Sequence, residues 1–142
     1  MSLTIHRGSI LHFLSNPATS ENLESSYQYL EDGGLVIENG RILDCTSFTE
    51  ATRSHPKANI IIHENALLLP GFVDTHIHYP QTEMIAAYGE QLLEWLNTYT
   101  FPTEQQFSDP AHAKKISKIF LDELLRAGTT TALSLEPYTQ SQ

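Results

Sequence analysis

An α/β fold, in which a β-rich opening gives way to the strand–helix–strand pattern of a parallel sheet or barrel, is what this 142-residue sequence predicts. Three observations carry that prediction. The first half contains short, strand-like apolar runs punctuated by turn residues. Between Asp109 and Gly128 the apolar spacing changes to three and four residues, the period of a helix. The β-branched stretch "TTTAL" then follows at once.

Each element can be justified in order. "TIHRGSILHFL" reads as a strand and "SNPATSENLESSYQYLEDGG" as a polar loop. Asn39-Gly40, between Leu35–Ile37 and Ile42–Leu43, is the strongest local hairpin signal in the chain. A loop with Pro56 and Lys57 leads to Ile60–Ile62 and Leu67–Leu69, runs separated by a polar turn at Glu64-Asn65 and expected to be strands buried on both faces. "PGFVDTHIH" ends the next strand at Tyr79-Pro80. "GEQLLEWLNTYTF" predicts a helix from Glu90, with Leu92, Leu93, Trp95 and Leu96 as core and Trp95 also placed to line a pocket for a planar ring. Asp109 is a good N-cap with Pro110 at the first helical position, and Gly128 is a stop after the stripe of Ile116, Ile119, Phe120, Leu124 and Ala127. Two parallel strands joined through helices make a βαβ unit.

The length suits one domain, or a piece of one. With 17 acidic and 8 basic residues the net charge is −9, and no basic run is longer than Lys114-Lys115, which argues against nucleic acid or an anionic membrane as partner. No segment reaches the ~20 apolar residues needed to cross a bilayer, and "MSLTIHRGSILHFLSNP" lacks the continuous apolar stretch of a signal peptide. The single cysteine, Cys45, rules out a disulfide framework and a CxxC zinc site within these residues, fits a cytoplasmic location, and reads as a small apolar group rather than a nucleophile. GxSxG, Walker A and GxGxxG motifs do not occur.

Chemistry concentrates at "HIH". Side chains alternate along a strand, so His76 and His78 share a face, with Asp74 on the same side as a candidate partner for a ring. Neutral imidazole is a good zinc ligand, and catalytic zinc sites usually take three protein ligands and keep one position open. An HxH pair also fits two surface residues of an antiparallel sheet; the apolar run before it and the proline after it favour the metal reading. His6, His12, His55, His63 and His112 read as surface or hydrogen-bonded structural residues.

These residues carry a resemblance. "PGFVDTHIH" resembles the first barrel strand of the metal-dependent amidohydrolase superfamily, and "HYPQTEMIAAYGEQLLEWLNTYTFPTE" is similar to the guanine deaminases within it. The similarity runs from about Asn59 to Leu133, and "GGLVIENGRILD" resembles the small β-sandwich that such proteins build from both chain ends. The resemblance implies the start of a (β/α)8 TIM-type barrel in residues 70–142, incomplete in this chain, and a β-rich part of the composite sandwich in residues 1–69. It implies a zinc-dependent hydrolase of C–N bonds in cyclic amidines, converting guanine to xanthine and ammonia in purine catabolism, and a homodimer when full-length. One zinc ion would be held in part by His76 and His78, and Gln81 would contact the purine. The family's catalytic glutamate and aspartate are expected beyond this chain, so no catalytic residue is assigned. As an N-terminal fragment, the chain is expected to be inactive by itself; alternatively it is a non-catalytic interaction module that associates with itself or with a full-length subunit.

Overall fold

The computed structural model describes residues 3–89 and 91–135, which form two units, Met1–Pro70 and Gly71–Gln142. The expected start of a helix at Glu90 lies outside the described residues.

In the first unit, β1 (Leu3–Phe13), β2 (Tyr27–Glu38), β3 (Arg41–Ser47) and β4 (Asn59–Leu68) form a sheet in the order β3-β2-β1-β4. β1 pairs antiparallel with β2 and parallel with β4. The Asn39-Gly40 hairpin forms as expected: both residues take positive φ, 51° and 76°, the conformation of a tight two-residue turn in which glycine avoids a Cβ clash. β2 begins at Tyr27, inside the stretch expected to be loop. Tyr27, Gln28, Tyr29 and Leu30 pair with Phe13, His12, Leu11 and Ile10, so β1 supplies a template that local polarity does not reveal.

A helix absent from the sequence expectations, α1 (Phe48–Ser54), follows β3. Its signal was a capping pattern, Ser47 with Glu50 three residues on, and Ser47 Oγ accepts from the Glu50 N–H at 3.2 Å. Ala51 packs into the core with Ile5 and Val36, all fully buried. Gly34 permits this approach, since a Cβ there would lie 2.6 Å from the Ala51 Cβ. β4 corrects another expectation. It is one strand, with Asn65 at φ 53° as its irregularity, and Ile60, Ile62 and Leu67 are exposed, because nothing among the described residues covers them.

His6 on β1 and His63 on β4, expected to be surface or hydrogen-bonded structural residues, are hydrogen-bond partners, with Nδ1 and Nε2 2.9 Å apart. His12 pairs with Gln28 at 2.9 Å. Burial, and after it the neighbouring His63, hold the His6 pKa below its ordinary 6.5. A base that charges less readily when folded leaves the unfolded chain binding more protons, so this contribution to stability is present above pH 6.5 and is lost as pH falls through the lowered folded value. The urea midpoint of the first unit is therefore expected to drop between about pH 7 and pH 5, and to drop less in His6→Gln; an identical drop in the variant would count against His6 as a source.

The second unit holds β5 (Phe72–His78) and β6 (Thr129–Leu135), paired in parallel. Between them run a 3₁₀ turn (Tyr79–Met84), α2 (Leu92–Trp95), a π turn (Leu96–Thr100), α3 (Phe101–Gln105), a second 3₁₀ turn (Gln106–Ser108) and α4 (Pro110–Arg126). The expected βαβ arrangement is present. Leu92 and Leu93, expected in the core, are exposed. The π turn shifts the helical phase, and the buried stripe becomes Thr100, Glu104 and Phe107. Asp109 caps α4 as expected, accepting from the Ala111 N–H at 2.9 Å, and Gly128 ends it at φ 84°. Asp109→Ala is expected to destabilise this unit by about 0.5–2 kcal/mol, read from denaturant unfolding.

Candidate metal and ring-binding site

β5 brings His76 and His78 together at its C-terminal end. Their Nε2 atoms are 3.1 Å apart, with the rings tilted by 41° and their centroids 5.1 Å apart. An ion held at about 2.0–2.1 Å from each nitrogen can span such a pair, so the donor set fits zinc. Among the described residues no group of three or more His, Cys, Asp or Glu side chains is placed to hold a metal ion, so this is a two-ligand contribution.

Alternation puts both rings on one face, and the strand register is irregular between Asp74 and Ile77. Asp74 pairs with Ala132 and Ile77 with Ser134, so β5 spends three steps where β6 spends two. The extra residue makes a bulge at Thr75-His76, which re-aims side chains and frees a backbone N–H. Asp74 accepts that His76 N–H through Oδ1 at 3.0 Å. Asp74, expected as a partner of the histidine pair, thus meets His76 through its backbone N–H.

The following turn is anchored by aromatic packing. Tyr79 meets Phe107 edge-on with centroids 5.3 Å apart, and Phe107 meets His112 at 5.0 Å. Thr82 Oγ1 donates to the Tyr79 carbonyl at 2.6 Å, and Glu83 Oε2 lies 3.0 Å from His112 Nε2. Gln81 is thereby held beside the histidines, its Nε2 donating to Glu104 Oε1 at 3.1 Å. Sequence reasoning missed Glu104, whose partner is 23 residues away.

His76, His78, Gln81, Met84, Trp95 and Phe120 are among the residues lining a cavity of about 630 Å³, within the size range of small-ligand sites. Trp95 reaches it as expected, its indole N–H donating to the Ala87 carbonyl at 2.9 Å. Cys45 lies outside this site; burial and then Asp44 push its pKa up, which suits a small inert side chain.

Comparison with known proteins gives concordant findings. Residues 67–136 match the amidohydrolase family. The chain is 44% identical over 128 residues to the guanine deaminase of Escherichia coli (strain K12), covering 89% of this chain and 29% of that protein. The crystal structure of guanine deaminase from Bradyrhizobium japonicum superposes with a TM-score of 0.90 at 34% identity, over 96% of this chain and 30% of that one. Guanine deaminase from C. acetobutylicum, solved with guanine bound in its active site, gives 0.71 at 27% identity, over 94% of this chain and 30% of that one. The chain thus spans about 30% of the length of these relatives.

Proposed function

We propose that this chain, whose residues 67–136 match the amidohydrolase family, is part of a guanine deaminase-like hydrolase of that family, with His76, His78 and Gln81 in its zinc and purine site. The observation that carries the reading is the convergence of two imidazole nitrogens, 3.1 Å apart, on a cavity that Gln81 and Trp95 also line. In this reading β5, the helices and β6 are the first units of a (β/α)8 barrel, residues 1–69 are part of a β-sandwich, and the assembled protein is a cytoplasmic homodimer of purine catabolism. No helix among the described residues is long and apolar enough to cross a membrane.

The reaction is guanine plus water giving xanthine plus ammonia. Zinc, held in part by His76 and His78, would supply Lewis acidity and lower the pKa of water for attack at the amine-bearing carbon. The chain's own residues do three things. Asp74 and the bulge aim His76. Trp95 and Met84 give a ring an apolar wall, and Gln81 offers its amide to the ring edge.

Trp95 is the sole tryptophan, so its fluorescence reports on the cavity. Guanine added to the zinc-loaded chain is expected to quench that emission saturably; no response would overturn the purine assignment. Xanthine formation by the 142 residues alone is expected to be undetectable, because the described residues contribute only two clustered ligands. A second reading, an interaction module, is favoured by the exposure of Phe72, Val73 and Leu133 on the two-stranded sheet. Sedimentation as a dimer or larger would support it, and a monomer at high concentration would sink it.

A further inference from the structure

Gln81 lines the cavity, whereas the carboxylate that receives its N–H does not. Glu104 is only 7% exposed, an unusual position for a carboxylate, and it lies on α3, well along the chain from the turn that carries Gln81. An ionised carboxylate only accepts hydrogen bonds. An amide facing it must therefore present nitrogen, since the opposite orientation would set oxygen against oxygen.

We propose that Glu104 is a positioning residue that turns the Gln81 nitrogen out of the cavity and leaves the Gln81 oxygen as an acceptor for an N–H on the edge of a planar ring ligand. Left to itself, a glutamine amide can flip and serve donors and acceptors alike. Locked by Glu104, Gln81 favours ligands whose facing edge donates, as the N1–H and amino group of guanine do. A ligand presenting a carbonyl there meets an unpaired acceptor, at the energetic disadvantage of an unmade buried hydrogen bond. The ligand-facing half of this inference rests on the purine reading of the cavity. The Gln81–Glu104 lock itself does not.

Glu104→Gln is nearly isosteric and lets the two amides pair in either orientation. In the ¹⁵N-labelled chain, the Gln81 side-chain amide protons are expected to exchange with solvent about three- to tenfold faster in this variant, against an otherwise unchanged backbone spectrum. Gln81→Glu should place two carboxylates about 3 Å apart and lower the urea midpoint, and adding Glu104→Gln to it should restore the midpoint by returning an amide opposite a carboxylate. Gln81 side-chain signals indifferent to Glu104→Gln, or additive effects in the double variant, would overturn the lock. Should guanine fail to quench Trp95 in the unaltered chain, the purine reading fails and the amide measurements still decide the role of Glu104. Where guanine does bind, Glu104→Gln is expected to weaken it about three- to tenfold without changing zinc affinity.

Discussion

Replacing either His76 or His78 with alanine is expected to abolish zinc uptake by the chain, seen as loss of the bound ion in elemental analysis of the dialysed protein. The loss should exceed the about 10- to 100-fold penalty typical for removing an outer partner of a metal ligand, because here a bonding nitrogen is lost. A second histidine pair supplies the control. His6 and His63 also bring two nitrogens close, at 2.9 Å, but their rings are within 17° of parallel and their centroids lie 5.2 Å apart. That separation is about the nitrogen gap plus two ring radii, so the rings face each other head-on and one N–H points at the other's lone pair. The His76–His78 pair is not straight: its rings are tilted by 41° with nitrogens 3.1 Å apart, a gap that one ion can span. Substituting His6 or His63 should therefore leave zinc content unchanged. Zinc retained by both His76→Ala and His78→Ala would show that the metal site is elsewhere.

Ile116→Ala is expected to destabilise the second unit by about 2–5 kcal/mol, the range for truncating a large buried aliphatic side chain. Ile116 is 1% exposed on α4, the helix that packs against the turn bearing Gln81 and against β6. Most neighbouring apolar residues on α4, such as Ile119, Leu121 and Leu125, are exposed and cannot compensate. Because stability in small units is a small difference between large terms, a loss of this size should uncouple the site from its scaffold. Amide exchange on β6 would accelerate while that of Ile5 and Val36 in the first unit stays slow. A change below about 1 kcal/mol would mean that the site around residue 116 collapses around the cavity and that α4 is anchored elsewhere.

Patterns local to the chain were legible before any coordinates. Asn39-Gly40 specified its hairpin because only a few residues tolerate two consecutive positive φ values. Asp109, Pro110 and Gly128 bounded α4 because capping is a matter of adjacent groups. The closeness of His76 and His78 was legible because two residues apart on a strand is a distance backbone geometry can close. Other features were hidden for equally physical reasons. The strand character of Tyr27–Leu30 comes from pairing with β1, and the exposure of Ile60, Ile62 and Leu67 comes from the lack of a covering element among the described residues. Burial is a property of what lies opposite, which hydrophobic runs do not encode.

What the sequence determined by itself about this protein is the chemistry available at and after the end of β5: two imidazoles, an amide three residues after the second, and a tryptophan further along. Only the tertiary structure decided how that chemistry is aimed. The irregular register of β5 shows only against β6, Asp74 accepts the His76 backbone N–H, and Glu104, 23 residues away, receives the Gln81 side-chain N–H. Residue type and near-neighbour spacing set what a group can do, whereas direction depends on hydrogen bonds closed between elements distant in the chain.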